Sequence, residues 1–119
     1  PSCCVALPMP LEQHLEIRRQ RLEAIRNALE PVLLRSTTFT WEVGSGHGHF
    51  LTAYAEAHPR ETCVGIDLLT DRLERAERKS HRARLGNLFW IRAEASLFLE
   101  VLPPGVVIPR TWVLFPDPW

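Results

Sequence analysis

Four carboxylates and one glycine cluster hold most of the chemistry this chain offers. Glu42 stands two residues before Gly44-Ser45-Gly46-His47-Gly48, Asp67 closes the run Cys63-Val64-Gly65-Ile66, Glu94 precedes Ala95, and Asp117 lies between two prolines. Glycines bend through φ > 0 and let a backbone approach a ligand with no Cβ in the way. A helix that starts there turns further unpaired N–H groups toward the same ligand. A carboxylate accepts hydrogen bonds on two oxygens, which suits the vicinal hydroxyl pair of a ribose. Asp67 lies nineteen residues beyond Gly48, close to the ~20-residue gap at which an acid reaches a ribose in nucleotide-binding βαβ units. The plainer role for Asp67 is to cap the helix that follows. The glycine turn upstream favours the ligand.

The chain's last residues, Leu114-Phe115-Pro116-Asp117-Pro118-Trp119, form a second chemical element. Prolines on both sides of Asp117 restrict its backbone. A rigid loop at the carboxyl end of a parallel strand is where α/β domains place ligands. An ordinary exposed turn is the plainer reading of the same residues. Trp119 is placed to stack on a base, whereas Trp41 and Trp90 sit on strands and are expected in the core. His47 and His49 flank Gly48, but side chains two apart in a tight turn point away from each other, so no metal is expected.

These residues need strands and helices to hold them. Apolar and β-branched runs predict four strands, over Thr38–Val43, Thr62–Ile66, Asn87–Ile91 and Thr111–Phe115. Leu15, Leu22, Ile25 and Leu29 follow the helical period, which predicts a helix from Leu11 to Leu29 with Pro10 at its first position and Pro31 as its stop. A second helix follows the glycine turn and ends near His58-Pro59. A third runs from Leu69 to Leu85, with Gly86 as the residue past its end, and a short fourth covers Ala95 to Leu102. Strands alternating with helices imply parallel βαβ units with right-handed crossovers.

Composition sets the bounds. The 119 residues suffice for one core, and 45% hydrophobic with 24% charged residues is ordinary for a globular domain. Cys3, Cys4 and Cys63 form no disulfide framework or zinc spacing, which fits a reducing, cytoplasmic compartment. No apolar run is long enough to span a membrane. Fourteen basic residues balance fourteen acidic ones, yet the positive charge is clustered. One cluster is Arg18, Arg19, Arg21 and Arg26, and the other is Arg72, Arg75, Arg78, Lys79, Arg82 and Arg84. Either cluster can meet phosphates, unless the interspersed glutamates neutralise it through pairs along the helix.

In order and spacing, Glu42-Val-Gly-Ser-Gly-His-Gly48, Gly65-Ile66-Asp67, Asn87-Leu88 with Glu94-Ala95, and Phe115-Pro-Asp-Pro-Trp119 resemble the motifs of the tRNA (guanine-N7)-methyltransferase family. The resemblance runs from about Thr38 to Trp119. Its most discriminating piece is the aspartate between two prolines, because DNA and protein amino-methyltransferases carry a related Asn/Asp-Pro-Pro-aromatic motif instead. The resemblance implies a Rossmann-like class I methyltransferase fold, an α/β domain with a parallel sheet. It implies S-adenosylmethionine as cofactor, S-adenosylhomocysteine as product, no metal, and transfer of methyl to N7 of a guanosine in the variable loop of tRNA. Gly44, Gly46 and Gly48 would form the cofactor turn, with Glu42 at the methionine end, Asp67 on the ribose, and Glu94 with Ala95 at the adenine. The family usually has Asp where this chain has Glu94. Asp117 would be catalytic and hold the guanine, Trp119 would stack on it, and Arg78 and Arg82 would meet tRNA phosphates.

The family's fold has seven strands, and only four are legible here. The chain is therefore expected to be a loose tail (1–9) followed by the amino-terminal, cofactor half of the domain (10–119). By itself that half is expected to transfer methyl groups weakly or not at all and to self-associate through an exposed sheet edge. Two other readings stand beside this one: a different S-adenosylmethionine-dependent N-methyltransferase, and a truncated, non-catalytic cofactor-binding domain. A NAD-linked dehydrogenase fits least, because its G-x-G-x-x-G places the third glycine one residue later.

Overall fold

The computed structural model describes residues 9–113. In chain order they form α1 (Leu11–Arg35), β1 (Thr40–Val43), α2 (His49–Ala57), β2 (Cys63–Asp67), α3 (Thr70–Arg82), β3 (Leu88–Arg92), α4 (Ala95–Val101) and β4 (Thr111–Val113). The four strands make one parallel sheet in the order β3-β2-β1-β4. From β1 the chain moves outward through β2 to β3, then returns to add β4 on the other side of β1. The order reverses there, and open parallel sheets bind ligands outside the carboxyl ends of the strands at such a point.

The sheet is covered on both faces, as parallel sheets require. On one face α1 and α4 bury Leu22, Ile25, Leu29, Val32 and Phe98 against Phe39, Trp41, Val64, Ile66 and Ile91. Trp41 stacks on Phe98 at 5.0 Å between ring centroids, so it is core as expected. On the other face Leu51 and Ala55 of α2 pack against Cys63 and Leu88, with Trp90 alongside.

Two helix ends differ from the sequence expectation. α1 does not stop at Pro31 but continues to Arg35. Proline forfeits one hydrogen bond in a helix interior, and here burial outweighs that loss: Val32, in the next turn, is fully buried. α3 ends at Arg82 rather than Leu85, and the left-handed residue beyond it is Arg84, at φ 57°, not Gly86. Leu85 N–H then donates to Ser80 O at 3.1 Å, which closes a Schellman-type turn. The strands lie within two residues of the expected bounds. The part of the fourth beyond Val113, with Asp117 and Trp119, lies outside the described residues. No helix among the described residues is long and apolar enough to cross a membrane.

Candidate cofactor site

Strand register builds the site. Trp90, Gly65, Glu42 and Trp112 are partners in one row across β3, β2, β1 and β4. Partners in a row share a face, and so do residues two apart on one strand. Glu42 and Asp67 therefore meet on the same side of the sheet, diagonally across β1 and β2. Glu42 is 2% exposed and Asp67 7%. Two acids this close and this dry repel each other. Burial first, and then the charge of Asp67, push the Glu42 carboxyl up to about 7. Glu42 Oε1 makes no hydrogen bond among the described residues, and a buried acceptor without a donor is costly.

The glycine turn closes over this pair. Gly44, Gly46 and Gly48 all have positive φ, at 71°, 59° and 78°, which a residue with a Cβ adopts only under strain. Gly44 and Ser45 N–H groups both donate to Ile66 O at 2.9 Å and tie the turn to the end of β2. The three glycines serve different ends. A Cβ on Gly44 or Gly46 would meet nothing within 4 Å, so these two border open space. A Cβ on Gly48 would lie 2.7 Å from Ala76 Cβ and 2.7 Å from Trp90 Cη2. Gly48 is thus a packing glycine that seats α2 on α3 and β3. The Ser45 hydroxyl, buried in the same turn, also makes no hydrogen bond among the described residues.

Asp67 holds two backbone N–H groups. Its Oδ2 accepts from Gly46 N–H and its Oδ1 from Leu69 N–H, both at 2.9 Å. The N-cap of α3 is Leu69, so Asp67 does not cap that helix. It braces the glycine turn and the loop after β2 together, with one further lone pair on each oxygen left to accept a ligand.

Beyond the carboxyl ends of β2 and β3, a cavity of about 310 Å³ opens beside α1. Leu68, Ala93, Glu94, Leu97, Ile25 and Arg21 are among its lining residues. Arg92 Nε–H donates to Leu68 O at 3.1 Å and fixes the floor. Glu94 is exposed and accepts from Ser96 Oγ at 2.9 Å, directly ahead of Ala95 and α4. Apolar walls with a carboxylate at the edge suit a flat heterocycle carrying an amino group. A larger cleft of about 610 Å³ opens at the amino ends of the strands, around Arg35, Arg60 and Glu61. It contains none of the glycine-turn residues and lies at the end where parallel sheets do not bind ligands.

The structure thus brings together Glu42, Gly44, Gly46 and Asp67, and sets Glu94 and Ala95 at the neighbouring cavity. Sequence reasoning missed Leu68, which is 58% exposed, and the contribution of α1 through Arg21 and Ile25. An apolar residue directly after a strand-ending acid was the available signal for Leu68; only tertiary packing brings α1 there. Gly65 was also missed as a packing position, since a Cβ there would lie 2.5 Å from Trp90 Cζ3. Trp90 is half-buried and its Nε1–H donates to Ser80 Oγ at 3.2 Å. Asn87 proves structural: its Nδ2 lies within 3.1 Å of the carbonyls of Ala55, His58 and Glu61. His49 Nδ1 is engaged by Lys79 Nζ at 2.6 Å. No group of three metal-ligating side chains occurs among the described residues.

The two basic clusters separate. On α1, Arg18 pairs with Glu100 and Arg19 with Glu16 and Glu23. On α3, no arginine or lysine forms an ion pair with a carboxylate among the described residues. Arg78 and Arg82 share a surface with Glu74, Glu77 and His81, and Asp71 stands one turn before Arg75, yet none of these carboxylates closes to ion-pair distance with an α3 cation.

A tRNA (guanine-N(7)-)-methyltransferase of Wolinella succinogenes is 35% identical over 78 residues, covering 66% of this chain and 20% of that protein. The protein of the same name from Thermotoga maritima is 29% identical over 85 residues, covering 71% and 27%. One from Macrococcus caseolyticus is 35% identical over 78 residues, covering 66% and 37%. The chain thus spans between a fifth and somewhat over a third of these relatives' lengths. Among solved structures, PKMT2 from Rickettsia typhi in complex with AdoHcy aligns at 25% identity and a TM-score of 0.45, over 62% of this chain and 15% of that one. A family described as putative methyltransferase matches residues 36–119, well over half of the sequence, and the chain belongs to that family.

Proposed function

We propose that this chain carries the donor-binding part of a methyltransferase that uses S-adenosylmethionine to methylate N7 of guanosine in tRNA. The observation that carries the reading is the pair of buried acids, Glu42 and Asp67, beside a glycine turn that borders open space. Such a pair calls for a ligand with positive charge and with hydroxyl donors. S-adenosylmethionine has an ammonium, a cationic sulfur and a ribose diol, and when bound it supplies an electrophilic methyl carbon. The residues fit it. Glu42 would receive the ammonium, and Asp67 the ribose hydroxyls on its free lone pairs. Gly44 and Gly46 would let the backbone close on it. Leu68, Leu97 and Ile25 would hold the adenine, with Glu94 and the Ala95 backbone at its edge.

The acceptor follows from the relatives' named activity and from simple chemistry. Guanine N7 carries no proton and presents an in-plane lone pair, so no general base is needed. The protein's tasks are to position the base and to offset the positive charge that develops on the purine. Asp117, held between prolines, suits the second task, and Trp119 suits stacking on a base drawn out of its helix. Both lie outside the described residues. Phosphate contact falls to α3, through Arg78 and Arg82 among its unpaired cations, rather than to Arg18 and Arg19 of α1, which are ion-paired.

Residues 10–119 are read as one cofactor-binding unit in a cytoplasmic protein. β4 pairs only with β1 among the described residues, and its free edge is the site we assign to self-association. The experiment is incubation with S-adenosylmethionine and unmodified tRNA, followed by nucleoside analysis. 7-Methylguanosine supports the reading. A methyl group on another acceptor, or none in a protein that contains the family's remaining strands, refutes it.

A further inference from the structure

We infer that Glu42, buried beside Asp67 with Oε1 unpartnered, is the group through which this site exchanges a proton for a cation: when a ligand ammonium or sulfonium arrives beside the protonated carboxyl, the O–H bond breaks and the proton is released to solvent. The inference rests on the reading of this turn as the S-adenosylmethionine site and concerns how that site selects charge.

Among the described residues no cation forms an ion pair with Glu42. Its neighbour in register on β2 is Gly65, and on β4 it is Trp112, neither of which can ionise near neutral pH. Asp67, the charged group nearest along β2, is an acid and raises the cost of a second negative charge. None of the other titratable groups on the surrounding elements pairs with Glu42 among the described residues: His47 of the turn is exposed and faces the His49 ring, and Arg72, Arg75, Arg78 and Arg82 of α3 are exposed. His49 of α2 is bound by Lys79 of α3, and Tyr54 of α2 and Arg110 ahead of β4 are both tied to Glu61. A buried carboxyl with an acid for a neighbour keeps its proton to a higher pH than an exposed one does, and a cation beside it reverses that. Burial and Asp67 together set its titration at about 7. A cation from the ligand favours the ionised form and drives that value down.

The sign of the effect follows. Below pH 7 the free protein must give up a proton to bind, so affinity falls as pH falls. Above pH 8 the proton is already gone and affinity is flat. Between pH 8 and pH 6 the loss is about tenfold, the ratio set by one proton titrating near 7.

The test is titration calorimetry at pH 6 and pH 8, each in two buffers of different ionisation heat. S-adenosylhomocysteine, which keeps the ammonium, is compared with 5′-methylthioadenosine, a nucleoside thioether without it. The expected result is release of nearly one proton with S-adenosylhomocysteine at pH 6, almost none at pH 8, and none with 5′-methylthioadenosine at either. Glu42→Gln should bind S-adenosylhomocysteine with no proton release and no pH dependence over this range. Binding of S-adenosylhomocysteine with heat independent of buffer at pH 6, or equal release with both ligands, overturns the inference and leaves the donor site standing. Failure of both ligands to bind at pH 8 overturns the donor site and the inference with it.

Discussion

Trp90 and Gly65 are register partners on β3 and β2, and the indole fills the space that any side chain at 65 would need: a Cβ there would lie 2.5 Å from Trp90 Cζ3 and 2.6 Å from Cε3. The same ring crowds Gly48, so one tryptophan fixes both the strand and the start of α2 beneath the glycine turn. Overpacking of a filled core costs ~1–3 kcal/mol, and Gly65→Ala should lose about that in chemical denaturation. The double variant Gly65→Ala, Trp90→Leu should lose less than the sum of the single changes, by about 1 kcal/mol or more. Strict additivity would mean that the indole does not set this packing.

Gly46 and Gly48 separate ligand approach from packing. Gly46→Ala meets no neighbouring atom within 4 Å, although its φ of 59° is left-handed. It should cost only ~1–2 kcal/mol of stability while removing most affinity for S-adenosylhomocysteine. Gly48→Ala adds a clash with Trp90 and Ala76 to the same backbone strain, so it should lower the melting temperature further than Gly46→Ala does. Equal effects of the two substitutions on both stability and binding would contradict this division.

Glu42 makes the free protein less stable at alkaline pH. Its carboxyl titrates at about 7 in the fold, against 4.5 when unperturbed, so the folded state binds more protons within that window. Stability contributed by the group therefore falls as pH rises through the window, and the penalty is complete above pH 7. Glu42→Gln removes the titration without losing a hydrogen bond at Oε1. The variant should match the wild type near pH 4.5 and exceed it by about 3 kcal/mol at pH 8. Denaturant melts at the two pH values check this. A variant less stable than wild type at pH 8 would mean that Glu42 has a partner.

The unpaired cations of α3 predict how RNA binding responds to salt. Charge reversal at Arg78 and Arg82 should weaken tRNA binding uniformly across sequences and reduce the slope of log affinity against log salt by about one to two. Reversal at Arg18 and Arg19, which are already ion-paired, should change the slope little. Filter binding or fluorescence anisotropy at several salt concentrations reads both. An equal effect of the two pairs would move the phosphate contacts off α3.

How much of this was legible in the sequence depended on whether the signal was local. Gly44-x-Gly46-x-Gly48 between a strand and a helix, and Asp67 at the end of the next strand, are local patterns, and both appear where expected. The functions of individual residues were less legible. Gly48 matches Gly46 in the motif, yet it serves packing, because Trp90 arrives from β3, more than forty residues later. The position of Asp67 at a strand end suits a ligand acceptor or a cap; its bonds to Gly46 and Leu69 brace two loops, which only the fold brings together. Pro31 looks like a stop in the sequence because the burial of Val32, which outweighs it, depends on where the sheet lies. The arginine clusters on α1 and α3 differ because Glu16, Glu23 and Glu100 pair with Arg18 and Arg19, whereas no carboxylate pairs with a cation of α3 among the described residues.

The measurement that bears most directly on the account is equilibrium titration at pH 8 with S-adenosylhomocysteine and, separately, with NAD, for the wild type and for Asp67→Ala. The account predicts saturable binding of S-adenosylhomocysteine and none of NAD. For Asp67→Ala it predicts a loss of about 1–3 kcal/mol, as for a charge-assisted hydrogen bond that is no longer made. Binding of NAD as tight as that of S-adenosylhomocysteine, or unchanged affinity in Asp67→Ala, would contradict it.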